Sequence, residues 1–442
     1  MASTEYTNVD CQSVSDLQAL LWGVGLKDEV FSRWTQGLVF SDDEATALIQ
    51  YEGGPCAVIA PVQAYLLKRI LFSPTAKPSI TDVTGEEASE FLFEALLEMV
   101  SQVAQENYTL VCMDDCDLEA HTSAADSQET GQRSPKRRKL DQETFHAKLK
   151  CIKCTEENHL RISLKKLFHQ YQGDYGVLLY LYSILLTKGI QQVKNEVEDP
   201  SEALIDGTYG HGSQSLINLL LTGKAISNVW DNDKDVSGLR LQGIKKQSPV
   251  GFLTLLEHLR YCEVGWFLKN PKYPIWILGS ETHLTVLFTK EQSLVTQESP
   301  ELNAKHIFSR YDPEGNGFIS TSMLDEVLSA LDLVSEKEYV DIMKTKLDAE
   351  NLGIITQHSF MQEFFPGQVI QDVPRNFTLF HYNGLARSCS HGKVVYQEAS
   401  VRLEDELEVQ IVTDTSPVKC CLQTKWPTIE LTWKSGYTPS LN

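Results

Sequence analysis

A cysteine preceded by two glycines and a proline, and followed by an unbroken apolar run, constrains this chain more than any other feature. The stretch is Gln50-Tyr51-Glu52-Gly53-Gly54-Pro55-Cys56, leading straight into Ala57–Leu71. Such a run predicts a helix, and Pro55 suits its opening turn, where a fixed φ and a missing N–H cost nothing. Gly53 and Gly54 permit a tight turn and leave room for a substrate backbone close by. Cys56 then falls in the first turn, where free backbone N–H groups and the helix dipole favour a thiolate. Gln50, six residues upstream, is placed to offer its side-chain amide to the oxyanion that forms when a thiolate attacks a carbonyl. The competing reading is a buried, inert cysteine beside a turn.

Composition narrows the classes. The 442 residues suffice for two or three domains with a sizeable core. Hydrophobic residues at 42% and charged residues at 22% describe an ordinary globular chain. A net charge of -21 disfavours a general nucleic-acid or anionic-membrane binder. Met1–Ser15 has neither a basic n-region nor an apolar core, so no signal peptide is expected. The apolar run Val177–Leu186 is too short to span a bilayer and predicts a buried helix. Ten cysteines without a secretory signal predict reduced thiols in the cytosol or nucleus.

Along the chain, Val14–Leu26 and Ser41–Tyr51 read as helices, with a strand-like Leu38–Phe40 between them. The Cys56 helix runs to about Leu71, and Glu86–Glu106 is again helical. Residues 114–146 are poor in large apolar residues and predict a disordered inserted loop. Helical, apolar patterns follow in Val177–Gly189, Ser213–Leu221 and Leu253–Arg260, then strands in Ile275–Leu278 and Leu284–Phe288. Leu302–Phe365 is helical, whereas the tail (Phe377–Leu379, Lys393–Tyr396, Leu407–Val412, Ile429–Trp433) is strand-rich. A cysteine on a helix and a histidine on a strand of a mixed sheet make an α+β, papain-like arrangement. The domain reading is therefore a catalytic domain in three parts, 1–113, 147–300 and 367–442. It is interrupted by the polar loop 114–146 and a helical module 301–366.

Cysteine hydrolysis needs an imidazole to take the thiol proton and return it to the leaving amine. Three of eleven histidines are candidates. His283 opens a strand after a tight turn, His211 lies between two glycines, and His381 sits near a later strand. Spacing alone does not choose among them. Asn383 and Glu281 are the residue types available to orient the imidazole.

Gly53-Gly54-Pro55-Cys56-Ala57-Val58-Ile59-Ala60-Pro61 resembles the nucleophile motif of the MINDY family of cysteine deubiquitinases. The likeness extends to Phe31–Gly37, to Tyr209–Gly223 and to Gly279–Val286, and is strongest to the third-member branch, which carries an EF-hand-like module. The Gln-before-Cys spacing is also similar to that of papain-like proteases. The MINDY resemblance implies a hydrolase of ubiquitin–ubiquitin isopeptide bonds, with lysine-48-linked chains as the preferred substrate. It implies Cys56 as nucleophile and, by the Thr-His-Leu-Thr position, His283 as base; Gln50 at the oxyanion rests on its own spacing from Cys56. Gly53 and Gly54 would line the channel for ubiquitin's Gly-Gly end. Ubiquitin and polyubiquitin are then the partners, the acidic chain suiting ubiquitin's basic face, and no cofactor is expected. The alternative is a non-catalytic ubiquitin-binding scaffold on the same fold; a transglutaminase-like acyltransferase lacks any supporting motif.

Three further constellations bear on function. Asp312–Ser320 resembles the front of an EF-hand loop, but its twelfth position is Met323; a second copy from Asp348 has Ser359 there. This predicts an EF-hand-like module, paired through Ile319 and Ile355, with calcium weak or absent. Lys136-Arg137-Arg138-Lys139, after Ser134-Pro135, resembles a nuclear import signal, which implies an import receptor as partner and the nucleus, with the cytoplasm, as location. Cys112, Cys116, Cys151, Cys154 and His159 fit no common zinc knuckle, and no phosphate loop is present.

Overall fold

The computed structural model describes residues 6–114, 140–236, 238–295, 300–312, 316–366, 374–404 and 415–442. The basic run Lys136–Lys139 and the strand-like Leu407–Val412 lie outside them. Two compact units result, one formed by Met1–Val295 with Pro374–Asn442, the other by Thr296–Val373.

The larger unit is built on a six-stranded sheet whose order is Ile429–Trp433, Gln397–Leu403, Asn376–Tyr382, Leu284–Phe288, Ile275–Gly279, Gly251–Thr254. All neighbours are antiparallel except the last pair. Strands from both sides of the smaller unit thus share one sheet, and register pairs Tyr382 with Val286 and Ile277 with Val286 across the His283 strand. The helix Cys56–Phe72 is apolar on nearly every face, the pattern of a helix enclosed by protein. It is buried from Cys56 through Leu67 in one core with Ile275, Ile277, Val286, Phe288 and Tyr382. The helices Gly85–Val103, Gly176–Lys188 and Gln214–Thr222 pack on it, and Glu157–Gln172 packs on the first two of these. A three-stranded sheet (Thr7–Asn8, Lys150–Cys154, Tyr108–Cys112) was not anticipated from the sequence. Its edge is satisfied by side chains of the helix Gly176–Lys188: Val111 N–H donates to Ser183 Oγ and Thr109 N–H to Thr187 Oγ1.

Several expectations are corrected. Ser41–Tyr51 is not helical: Phe40 and Leu48 form a β-bridge, Ile49 N–H donates to Val39 C=O, and Gln63 holds Leu48 N–H and Thr46 C=O from the neighbouring helix. Long-range hydrogen bonds override the local helical pattern here. The first helix is Cys11–Trp22, stopped by Gly23 at φ 65°, so it does not reach Leu26. Leu253–Arg260 divides into the strand Gly251–Thr254 and the short helix Leu255–His258. Gln142–Ala147 is a helix N-capped by Asp141, so order begins inside the stretch 114–146 expected to be disordered. In the tail, Lys393–Tyr396 precedes the strand rather than forming it, and Pro417–Gln423 is a helix.

The smaller unit has its own core of Ala304, Phe308, Ile319, Leu324, Val327, Leu328, Val340, Ile355 and Phe360. Its strands Phe318–Ser320 and Ile354–Thr356 are antiparallel and pair Ile319 with Ile355. Asp312 accepts from Asn316 and Gly317 N–H, and Asp348 from Leu352 and Gly353 N–H, so the two loops close in the same way.

Candidate active site

The loop before Cys56 is held from three directions. Gln36 bridges it, accepting from Tyr51 N–H at 2.9 Å and donating to Glu52 C=O. Trp34 Nε1 donates to Gly210 C=O at 3.0 Å, and both groups press on Gly54. A Cβ on Gly54 would stand 2.9 Å from Trp34 Nε1 and 3.0 Å from Gly210 O, and Gly54 has φ 122°, where L side chains are strained. Gly212 packs flat on Ala57. Arg387 borders Gly53, where a Cβ would lie 3.2 Å from Nη2. Gly54 is thus required by its own neighbours, whereas at Gly53 the close atom is the end of a flexible arginine side chain.

Cys56 is the first residue of its helix and only 4% exposed. Its thiol donates to Gly54 C=O at 3.6 Å, and the backbone N–H of Leu284 faces the sulfur. Burial pushes the thiol up to about 11, with the surrounding backbone N–H groups opposing it. The helix-start argument for a thiolate is therefore outweighed by desolvation, and the resting sulfur is protonated.

His283 is held at the mouth of its strand by a turn in which Ser280 Oγ accepts from His283 N–H and Ser280 N–H donates to His283 C=O. Its Nε2 lies 2.9 Å from Asn383 Oδ1. The amide orientation is fixed, because Asn383 Oδ1 also accepts from Leu385 N–H at 3.0 Å while Nδ2 donates to Ser440 C=O at 3.1 Å. Nε2 must then carry the proton, which leaves Nδ1 as the basic nitrogen. Burial lowers the imidazole to about 4 against the Asn383 hydrogen bond, helped by Arg387 and His211. Burial thus opposes charge on the thiol and on the imidazole alike.

The remaining candidates fall around this centre. Gln50 is 1% exposed; its N–H donates to Gly384 C=O, its C=O accepts from Ala386 N–H, and Nε2 donates to Glu52 C=O at 2.7 Å. One of its two amide hydrogens remains for another acceptor. His211 stacks on Tyr209, and its buried Nδ1 has no hydrogen-bond partner among the described residues. His381 lies one strand away with Nε2 on Thr285 Oγ1 at 3.0 Å, and burial lowers it to about 3. Glu281 is exposed on the turn, and the imidazole's partner is Asn383. Arg387 and Ser440 carried no sequence signal, since nothing local marks either.

The model of the "Deubiquitinating enzyme MINDY-3/4, conserved domain" matches residues 20–312. The chain is 49% identical to the ubiquitin carboxyl-terminal hydrolase MINDY-3 of Xenopus tropicalis, over 96% of this chain and 98% of the relative. It belongs to the MINDY-3/4 deubiquitinase family. The human MINDY-3 is 48% identical over 97% of this chain and 99% of its own length, and the Drosophila melanogaster MINDY-3 homologue 42% over 98% and 84%. No solved structure matches. The conserved-domain model spans Cys56, His211 and His283 and ends before Asn383, Arg387 and Ser440.

Proposed function

We propose that this chain is a cysteine isopeptidase that hydrolyses ubiquitin chains, lysine-48-linked ones by preference. The observation that carries the reading is the placement of the Cys56 sulfur against Leu284 N–H, next to a His283 whose Nε2–H is tied to Asn383. In this mechanism, Nδ1 of His283 takes the Cys56 proton as sulfur attacks the carbonyl of ubiquitin's C-terminal glycine. The S–C bond forms, and the oxyanion is held by the Cys56 N–H and the spare Gln50 amide hydrogen. The C–N isopeptide bond then breaks, and the lysine amine leaves with the proton from His283. Water, deprotonated by His283, cleaves the thioester and releases a carboxylate and the free thiol. Because burial opposes charge on both groups, proton transfer accompanies attack rather than preceding it.

The passage at Gly53 and Gly54, between Arg387 on one side and Trp34 with Gly210 on the other, suits a Gly-Gly substrate end. A cysteine-opened helix packed on the strand after His283 supports a papain-like fold. The paired loops at Asp312 and Asp348 support an EF-hand-like module with weak or no calcium binding, since Met323 and Ser359 replace the bidentate carboxylate. The run Lys136–Lys139 supports nuclear import.

Linkage-defined ubiquitin chains, incubated with wild type, Cys56→Ala and His283→Ala, test the reading. Cleavage by wild type, lost in both variants, is expected. Activity surviving in Cys56→Ala would overturn the mechanism. Wild type that binds chains without cleaving any would favour a scaffold.

A further inference from the structure

The conserved-domain model ends at residue 312, yet the imidazole is oriented by residues more than seventy positions further on, in the part of the chain that only the full-length relatives cover. Asn383 must present Oδ1, not Nδ2, to His283. A flipped amide would donate to Nε2, move the imidazole proton to Nδ1 and remove the base. Leu385 N–H favours the working orientation from one side. From the other, Nδ2 needs acceptors, and these come from Ser440 C=O at 3.1 Å and Asn442 O at 3.5 Å.

The segment that supplies them is built as an anchored strap. Gly436, at φ 76°, turns the chain after the strand Ile429–Trp433. Beyond it exposure alternates: Thr438, Ser440 and Asn442 are exposed, whereas Pro439 and Leu441 are buried. That period of two is the signature of an extended segment with one face pinned down. Leu441 is 2% exposed in a core with Trp276, Leu278, Leu287, Leu379 and Trp433, on strands of the sheet that carries His283. Ser440 Oγ donates to Asn442 O and accepts Asn442 N–H, which stiffens the end. Behind Asn383 lies a cavity of about 310 Å³, lined by Cys389, Tyr437, Pro439 and Ser440 among others. The Cys389 thiol in that lining donates to Asn383 C=O and not to its amide.

We propose that Tyr437–Asn442 is a positioning strap for catalysis. Ser440 is the positioning residue, through its carbonyl, and Leu441 is its anchor. The strap touches no substrate; it fixes the Asn383 amide, which fixes the tautomer and aim of His283. This rests on the cysteine-hydrolase reading above.

The test uses the full chain with Leu441→Asp, Leu441→Met and Asn383→Ala, and the double variant Asn383→Ala/Leu441→Asp. Deletion of residues 439–442 serves as a second strap variant that puts no charge in the core. Leu441→Asp and the deletion are expected to lower kcat on ubiquitin chains about a hundredfold, as small misplacements of catalytic groups do. KM should stay within about twofold, because uniform binding is untouched. Leu441→Met should restore the rate, and the double variant should be no slower than Asn383→Ala. Wild-type kcat in both strap variants, or full additivity in the double variant, would overturn the proposal. A substrate-free readout separates this from failure of the hydrolase reading: iodoacetamide labelling of Cys56, followed by peptide mass. Both strap variants should label at the rate of His283→Ala; labelling at the wild-type rate would sink the strap even if no ubiquitin chain is ever cleaved.

Discussion

The two sides of this site are assembled in opposite ways. The Cys56 side is nearly continuous in sequence: Trp34, Gln36, Gln50, Gly54 and Cys56 span little more than twenty residues, joined by Gly210. The His283 side draws on residues about a hundred positions apart, His283, Asn383 and Leu385, and then on Ser440. The first is fixed by steric enclosure, with a glycine where no side chain fits. The second is fixed by a relay of hydrogen bonds, each setting the direction of the next. Enclosure fails through volume and a relay fails through orientation, so mutations on the two sides should leave different signatures.

The largest effect belongs to enclosure. Gly54→Ala places a Cβ 2.9 Å from the Trp34 indole nitrogen at a strained φ. It should cost about 1–3 kcal/mol of stability as well as abolishing chain cleavage. Thermal unfolding and ubiquitin-chain cleavage, measured together, check this. A variant with normal melting and normal activity would show that the passage yields, and the contrast between the two sides would break.

Asn383→Ala should do the reverse, lowering kcat about a hundredfold with little change in melting temperature. Glu281→Ala, on the exposed turn beside the histidine, should leave kcat alone. If both act alike, the relay is not what orients His283, and the hydrogen bond at 2.9 Å is incidental.

These differences also decide what the sequence could reveal. The Cys56 helix was legible because an unbroken apolar run and Gly-Gly-Pro-Cys encode burial and a turn locally. The strands at Ile275 and Leu284 were legible for the same reason, from β-branched and aromatic residues around a tight turn. Ser41–Tyr51 is extended because its path is set by Gln63, on the following helix, and by Gly384, more than three hundred residues on, and neither contact is written in the segment's own pattern. Asn383 could be suspected by residue type but not chosen over Glu281, since pairing of Tyr382 with Val286 is what delivers it. The thiol's protonation was misjudged because dipole and N–H effects are visible in sequence, whereas the depth of burial that overrides them is not.

A smaller effect concerns acid. His283 and His381 lie near neighbouring strands and are both held neutral by burial, His283 down to about 4 and His381 to about 3. A histidine whose folded pKa lies below its unfolded value of about 6.5 binds fewer protons when folded, so stability is lost as pH falls through that window. Each should weaken the fold by roughly 2 kcal/mol between about pH 6.5 and 5. His381→Gln, which can still meet Thr285 Oγ1, should flatten that acid dependence in thermal unfolding without touching the relay. An unchanged slope would mean that another group carries the acid sensitivity.

The smallest effect tests the floor beneath the strap. Lys425 places Nζ over Trp426 at 5.0 Å and over Trp276 at 5.4 Å, and donates to Asn270 Oδ1 at 2.7 Å. Burial lowers it to about 7, with the Lys269 charge adding to the shift. Its rings favour the cation while its burial opposes it, so the site gains little from charge. Because the unfolded chain binds this proton up to about pH 10.4, the penalty is complete below pH 7 and fades as pH rises toward that value. Lys425→Met fills a similar volume with no charge and should raise stability by about 1 kcal/mol near neutral pH, with the gain shrinking in alkali. Trp276 and Leu441 belong to the same core, so this change stiffens the strap's anchor without altering a polar group of the relay. Chain-cleavage kcat should therefore stay at the wild-type value while the melting temperature climbs. A fall in kcat would mean that the relay tolerates no repacking of its floor, and that hydrogen-bond orientation on the His283 side depends on volume as closely as the glycine passage does.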